Sequence, residues 1–224
     1  MGKAKRVFLG VGHGGNDPGA VANGLREKDM NLVTALRCKE VLENAGVVVG
    51  ISRIIDGQDP LAERIKEAIA FEPDIAFDIH YNAGGGDGFE AYIQTGDNNS
   101  EGFEVAKAIE NEVKAIGQNS RGIKTRKNSS GTDYFGWLRQ LDCVALLLEG
   151  AFIDSEDRKL VDTEAEQKAM GEAYAKGILK YLGVNPVKPT IYRVQVGAFE
   201  KEQFAKNLLA KLKAAGFDGF ITRV

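Results

Sequence analysis

The chain has 224 residues, of which 43% are hydrophobic and 27% are charged, and its formal net charge is −3. These fractions are typical of globular proteins and exclude a disordered chain, while the slightly acidic balance gives no reason to expect nucleic-acid binding. The length suits one domain of ordinary size with a small appendage. Because the sequence contains no apolar stretch of about 18 residues and no signal-peptide core, we expect no membrane span and synthesis in the cytoplasm without a signal peptide.

Apolar runs alternate with helical patterns along most of the chain. The runs predict strands at residues 7–11, 47–51, 75–80, 89–94 and 144–148. Segments whose apolar residues recur with the period of a helix predict helices at residues 28–45, 60–70, 100–116 and 156–182. This alternation predicts a three-layer α/β domain with a twisted, mostly parallel sheet flanked by helices. The polar, glycine-bearing segment 117–135 is predicted to be a long loop at the sheet edge.

The last part of the chain differs in pattern and charge from the rest. Residues 184–189 contain Pro186 and Pro189 and are predicted to be a linker. After it, residues 191–199 alternate like a strand, 201–215 follow a helical pattern and 219–224 predict a second short strand, so a small β-α-β piece is expected. Residues 190–224 carry a charge of +3 and residues 1–189 carry −6, which favours two modules, 1–183 and 190–224, with different partners.

The sequence contains two histidines, His13 and His80, and both occur in the same local pattern. Each directly follows or closes a predicted strand and leads into a glycine-rich loop. Ligands gather at the carboxyl ends of strands in open α/β sheets, and histidine is the commonest protein ligand for zinc. Catalytic zinc sites typically use three protein ligands and a water, so a metal site with one further ligand is predicted at this edge.

Two glutamates are candidates for the remaining roles. Glu27 follows His13 after fourteen residues, and it either faces His13 across the site or is an acidic first-turn residue favoured by the helix dipole. Glu149 closes the most apolar run of the chain. It is either a strand-terminal acid in water or a general base, since apolar surroundings raise the pKa of a carboxyl group toward the useful range.

These motifs resemble the zinc-dependent N-acetylmuramoyl-L-alanine amidases of the type 3 amidase family, and the resemblance runs through residues 5–183. The matching motifs are HGGNDPGA at 13–20, EKDMNL at 27–32, SR at 52–53, LAER at 61–64, IHYNA at 79–83 and LLEGAFI at 147–153. The resemblance implies that His13, Glu27 and His80 bind one zinc ion and that Glu149 is the catalytic acid/base.

Two positions depart from the pattern of that family. Asp78 stands where the family commonly has serine, and it either acts on the neighbouring ligand from outside the metal shell or points away from the site. The fourth motif continues as Ala151-Phe152-Ile153-Asp154 rather than through glycine and asparagine. Both departures bear on substrate positioning, for which Asn82, Gly84 and Gly85 are further candidates in the loop after His80.

The C-terminal piece, residues 190–224, resembles half of a sporulation-related repeat (SPOR) domain, a peptidoglycan-binding module. The resemblance rests on YRVQVGAF at 192–199 and LKAAGF at 212–217. A piece of this size is too small to be comfortably stable alone. It is expected to pair with the same piece of a second molecule as a homodimer, to pack against the catalytic domain or to be a truncated module; a simple terminal appendage is the alternative.

The resemblance implies hydrolysis of the amide bond between N-acetylmuramic acid and L-alanine in peptidoglycan. One alternative is another zinc peptidoglycan peptidase such as a carboxypeptidase, which usually places its first histidine and glutamate three residues apart. The other is a non-catalytic wall-binding protein. A wall amidase without a signal peptide suits a phage endolysin released through a holin, or an autolysin that acts when a mother cell lyses.

Overall fold

The computed structural model describes residues 5–96, 99–185 and 194–223. The chain divides into two compact units, Met1–Val187 and Lys188–Val224. The first unit contains a six-stranded sheet with helices on both faces, which confirms the predicted three-layer α/β architecture. Among the helices of the described residues, none combines the length and apolar character needed to cross a membrane.

The first unit contains eight strands and five α-helices among its described residues. The strands are β1 (Arg6–Val11), β2 (Val21–Ala22), β3 (Leu25–Arg26), β4 (Val48–Ile51), β5 (Ile75–Asn82), β6 (Phe89–Ile93), β7 (Ser120–Lys124) and β8 (Val144–Phe152). The helices are α1 (Glu27–Asn44), α2 (Leu61–Phe71), α3 (Asn99–Ala115), α4 (Gly136–Gln140) and α5 (Glu164–Leu182). A 3-10 helix, Glu156–Leu160, precedes α5.

The sheet order is β4-β1-β5-β8-β6-β7, and β2 and β3 form a separate antiparallel hairpin. All neighbours in the large sheet are parallel except β6 and β8. The three central strands β1, β5 and β8 are buried along most of their length, because helices cover both of their faces. Their carboxyl ends therefore meet at one edge of the sheet, and the predicted metal ligands His13 and His80 lie there.

The two faces of the sheet carry different helical layers. Helices α1, α3 and α5 pack together over one face and enclose the larger core, which includes Leu9, Phe77 and Leu146. Helices α2 and α4 cover part of the other face through a smaller cluster around Phe8 and Trp137. Residues of both helices, among them Arg64 and Trp137, also line a cleft at the carboxyl ends of the strands.

Two sequence-based expectations for the first unit are wrong. Segment 117–135 was expected to be a loop throughout, but it contains the edge strand β7, which pairs with β6. The strand is short and polar, with half-buried residues, so it lacks the apolar run that marks the central strands. The helix expected at 156–182 is divided, because Thr163 caps α5 in a capping box with Glu166 after the 3-10 helix has ended.

The second unit contains helix α6 (Glu202–Ala214), which lies within the helix predicted at 201–215. No residue of α6 is buried. The described parts of the two predicted strands, residues 194–199 and 219–223, form no strand, and residues 190–193 and 224 lie outside the described residues. A two-stranded sheet with one helix is marginal on its own, which accounts for the absence of strand pairing in these described segments.

Candidate metal centre and active site

His13 lies in the turn that directly follows β1. Its backbone has φ of 61°, in the left-handed region that L-residues seldom adopt. Arg53 holds this turn by donating hydrogen bonds to the carbonyl oxygens of His13 (3.0 Å), Gly12 (3.2 Å) and Lys28 (2.7 Å). These bonds offset the strained backbone and fix the direction in which the imidazole leaves the strand end.

Glu27 is the first residue of α1 and is buried. The β2–β3 hairpin folds the chain back, so Glu27 meets both histidines: its Oε2 lies 3.2 Å from Nε2 of His13 and its Oε1 lies 2.8 Å from Nδ1 of His80. The backbone N–H groups of Ala20 and Tyr81 also donate to this carboxylate, at 2.9 and 3.2 Å. The glutamate therefore has a fixed orientation between the two imidazoles.

His13, Glu27 and His80 each present one ligand atom, and these atoms all lie within 4.8 Å of one another. The structure thus brings together the three residues that the sequence predicts as metal ligands. Two imidazole nitrogens and one carboxylate form the donor set of a catalytic zinc site, so the residues present fit such an ion.

The charge interactions among the three residues also favour a bound cation. Burial disfavours the charged form of Glu27, but hydrogen bonds from both histidines hold the pKa of this carboxyl group well below its usual range. Burial also opposes the charging of His80, but Asp78 and Glu27 raise the pKa of this imidazole well above its ordinary value. The cluster therefore stabilises positive charge between its members, which is what a divalent cation supplies.

Glu149 lies inside β8, beyond the predicted strand end at residue 148, and it is the paired neighbour of His80 on β5. The residue is half-buried, and its Oε2 atom is buried without a hydrogen-bond partner among the described residues. Burial raises the pKa of Glu149 to about 7, and the nearby carboxylates of Glu27 and Glu90 act in the same direction. A carboxyl group with such a pKa exchanges a proton readily at neutral pH.

A cleft of about 450 Å³ opens over these groups. His13, His80 and Glu149 lie in its wall, and Phe135 and Trp137 form an aromatic part of its lining. His13, His80 and the candidate acid/base Glu149 therefore face one space that a substrate can enter.

The predicted substrate-binding residues Asn82, Gly84 and Gly85 lie outside the lining of this cleft. The amide of Asn82 donates to Glu90 at 3.4 Å. The backbone N–H groups of Gly84 and Gly85 donate to the carboxylate of Asp154, at 2.7 and 3.0 Å to its Oδ2 atom. Their contact with a substrate stays a prediction.

Sequence reasoning assigned no role to Arg53 and Arg64, although both lie in the family-like motifs. Arg53 holds the turn at His13 through its hydrogen bond to the carbonyl oxygen of that residue. Arg64 on α2 is buried and pairs with Asp78 and Asp59, at 3.0 and 3.1 Å. The sequence does place Arg64 on the core-facing side of an amphipathic helix, where a buried arginine needs a partner. It does not identify that partner, because Asp78 lies on a different element and sequence spacing does not give the distance between elements.

Fold and site together define the class of this protein: a three-layer α/β protein with a candidate catalytic metal centre at the carboxyl ends of its central strands. The chain belongs to the N-acetylmuramoyl-L-alanine amidase family Amidase_3, whose model matches residues 7–180. It is therefore an enzyme that hydrolyses amide bonds in peptidoglycan. A SPOR domain model matches residues 172–224.

Characterised relatives and solved structures agree with this membership. The chain is 33% identical over 219 residues to the N-acetylmuramoyl-L-alanine amidase CwlM of Bacillus licheniformis, covering 96% of this chain and 84% of that protein. It is 33% identical over 189 residues to the endolysin of Bacillus phage SPP1, covering 81% of this chain and 67% of the endolysin.

Among solved structures, Cwp6 from Clostridium difficile superposes with a TM-score of 0.77 at 34% identity, covering 80% of this chain and 30% of the Cwp6 chain. The catalytic domain of CwlV, an N-acetylmuramoyl-L-alanine amidase from Bacillus (Paenibacillus) polymyxa, superposes with a TM-score of 0.70 at 28% identity. That match covers 81% of this chain and 99% of the CwlV domain. The similarity therefore extends over the first unit as a whole.

Proposed function

We propose that the chain cleaves the bond between N-acetylmuramic acid and L-alanine with one zinc ion held by His13, Glu27 and His80. The observation that carries the proposal is the convergence of their ligand atoms within 4.8 Å, with His13 and His80 in the wall of the same cleft as Glu149. When bound, zinc supplies a water molecule of lowered pKa and a positive charge that polarises the carbonyl group.

Glu149 is proposed as the acid/base of the reaction. Its buried Oε2, which has no hydrogen-bond partner in the part of the chain that the structure describes, can accept a proton from the attacking water, and its raised pKa lets the carboxyl group hold that proton. The same oxygen then delivers the proton to the departing amine of L-alanine. The carbonyl carbon of the lactyl group gains the hydroxyl oxygen as the carbon–nitrogen bond breaks, so the products are a carboxylic acid and a free amine.

Substrate contacts are proposed along the loop after β5. Gly84 and Gly85 have φ of 124° and 71°, which are glycine conformations, and carry no side chain to narrow the approach of a bulky polymer. Asn82 lies at the end of β5 on the same strand as His80. We assign these three residues to peptidoglycan contacts on that placement.

Mass spectrometry of muropeptides after digestion of purified sacculi tests the proposed bond. The amidase reaction releases stem peptides that begin with a free L-alanine amine and leaves intact glycan. A cut between two amino acids would instead identify a peptidase, and an undigested wall would identify a binding protein. Zinc measured on the same preparation, with and without chelator, tests the metal separately.

The second unit is proposed to bind peptidoglycan and to pair with its copy in a second chain. We keep the predicted boundaries for this proposal: a catalytic domain at 1–183, a linker at 184–189 and a half module at 190–224. The SPOR match and the exposed apolar side chains Phe204, Phe217 and Phe220 support it. Light scattering on the full chain should give the mass of a dimer, and Phe217→Asp should give a monomer; a monomeric full chain contradicts the pairing.

The place of action is proposed to be the bacterial cell wall, reached through holin-type release or lysis of the producing cell. The support is the 33% identity to a protein named as an endolysin. Purified protein added to chloroform-treated cells should lower their turbidity. Unchanged turbidity, in the presence of zinc and of activity on isolated sacculi, would argue against lysis as the outcome.

A further inference from the structure

Asp78 lies on β5 two residues before His80, so both side chains leave the same face of the sheet. The residue is only 2% exposed. Its Oδ2 lies 3.2 Å from Nε2 of His80, and Nη1 of Arg64 donates to its two oxygens at 3.0 and 3.1 Å. The Asp78 carboxylate is therefore turned toward the site.

The two ring nitrogens of His80 face different partners. Nδ1 is directed at Glu27, 2.8 Å away, and so toward the centre of the candidate metal ligands. Nε2 is directed at Asp78 on the opposite side of the ring. A neutral imidazole that offers Nδ1 to a metal must carry its proton on Nε2, and a carboxylate is the best acceptor for that proton.

We propose that Asp78 is a positioning residue that accepts a hydrogen bond from the Nε2–H group of His80 and thereby fixes the tautomer and ring orientation in which His80 binds the metal. This inference rests on the proposed zinc site, and it adds a residue that acts through His80 rather than touching the ion. A ligand fixed in this way binds more tightly because less orientation is lost when the ion arrives.

Arg64 holds Asp78 in place, because its Nη1 donates to both carboxylate oxygens. It is itself held by Asp59, which accepts from its Nε at 3.1 Å and, through its carbonyl oxygen, from its Nη2 at 2.9 Å. A buried carboxylate held in this way has little freedom to turn away from His80. Gly10 leaves room for the pair, because a Cβ atom there would lie 2.6 Å from Oδ1 of Asp78 and 2.8 Å from Cδ of Arg64.

His13 has a carboxylate partner of a different kind. Oδ2 of Asp17 lies 2.8 Å from Nδ1 of His13, but the side chain of Asp17 is 65% exposed. Water can replace an exposed acceptor at little cost, whereas Asp78 is only 2% exposed. The loss of Asp78 should therefore weaken the metal site more than the loss of Asp17.

Zinc affinity measured by competition with a chromogenic chelator tests the inference. Asp78→Ser and Asp78→Asn should each raise the zinc dissociation constant by about 10–100-fold. Asparagine keeps the size of the side chain but is neutral, and its NH2 group replaces one of the two oxygens that accept from Arg64 and face His80. Asp59→Asn is the matched control, since it also removes a carboxylate from Arg64 but does not touch His80.

Nitrogen-15 NMR of the histidine rings gives a second readout that does not depend on affinity. The chain has only two histidines, so the signals are few. In the zinc-loaded wild type the Nε2 proton of His80 should exchange slowly with water, and in Asp78→Ser it should exchange rapidly. Asp78→Asn, which preserves volume, provides the same comparison if Asp78→Ser fails to fold.

The outcomes separate this inference from the proposed function. A wild type that binds no zinc contradicts the metal site itself. A wild type that binds zinc, together with Asp78 variants of unchanged affinity and unchanged proton exchange, contradicts the role of Asp78 alone. Equal losses in Asp78→Asn and Asp59→Asn would assign the effect to the packing of Arg64 and would also overturn the inference.

Discussion

His80 and Glu149 occupy paired positions on the adjacent parallel strands β5 and β8, so their side chains rise side by side from one face of the sheet. The candidate metal ligand and the candidate acid/base are thus held one strand spacing apart by the backbone hydrogen bonds of the sheet. Sites built on strands are more rigid than sites on loops, and this spacing cannot relax when one side chain is shortened or displaced.

Replacement of Glu149 by glutamine should leave zinc binding intact and abolish hydrolysis. The amide has nearly the same shape but cannot take up a proton, so we expect turnover to fall by about 10²–10⁴-fold, the range of general acid–base catalysis. Metal analysis and the rate of amine release from sacculi are measured on one preparation. The exposed Glu104→Gln is the control, and near-normal turnover by Glu149→Gln would remove this residue from the mechanism.

Removal of the metal should abolish activity reversibly. Dialysis against a chelator should give an inactive chain, because the three clustered ligands alone offer no activated water. Addition of one equivalent of zinc should restore hydrolysis in the wild type but not in His13→Ala or His80→Ala. Full activity of a chain shown to hold no metal would refute the proposed centre.

Gly12→Ala should disturb the metal site by displacing the ring of His80. A Cβ atom at Gly12 would lie 2.3 Å from Cε1 of His80 and 2.6 Å from both ring nitrogens, so the imidazole must move. We expect a loss of stability of about 1–3 kcal/mol, as for other overpacked sites, together with weakened zinc binding. Thermal unfolding and zinc content are measured for both this variant and Gly57→Ala.

Gly57 is the matched control because a Cβ atom there would meet no atom of the described residues within 4 Å. Its alanine variant should retain the zinc content and the melting temperature of the wild type. If Gly12→Ala also kept both values, the packing of the His80 ring against the end of β1 would not matter for the site.

Much of the fold follows from local patterns in the sequence. The central strands are apolar runs and the long helices have a clear period, because burial on both faces of a sheet selects such residues. Strand β7 escaped prediction because an edge strand such as Ser120–Lys124 can be polar: one of its sides has no neighbour in the sheet. The break before α5 was readable, since Thr163 and Glu166 have the spacing of a capping box.

The candidate site, like the fold, could be predicted from the sequence only in part. His13, His80 and Glu149 could be predicted because each lies at or near the end of an apolar run, where the order of a parallel sheet places ligands. Glu27 required the resemblance to a family, since its own position also suits a helix start. The contact of Asp78 with Arg64 could not be predicted, because it joins a strand to a separate helix and spacing carries no information on that distance.

Glu110 on α3 should make the fold sensitive to acid. It is buried and accepts hydrogen bonds from Lys107 at 2.5 Å and from Ser120 at 2.6 Å, and the second bond ties the helix to β7. Burial alone would raise its pKa, but these bonds and that of Lys114 lower it from 4.5 to about 2. The folded-state pKa lies below the ordinary one, so the ionised carboxyl group stabilises the fold above pH 4.5 and this contribution is lost as the pH falls toward about 2.

Glu110→Gln should therefore lower the free energy of unfolding by about 1 kcal/mol at neutral pH, a value reduced by the solvent exposure of the two lysines. The difference from the wild type should shrink as the pH is lowered from 4.5 toward 2, since the wild-type carboxyl group then becomes neutral as well. Urea unfolding at pH 7 and pH 3 measures this difference in the free energy of unfolding, and the variant Glu104→Gln, at an exposed position, is the control. A difference that stays constant with pH would assign the effect to packing rather than to the charge that links α3 to the edge of the sheet.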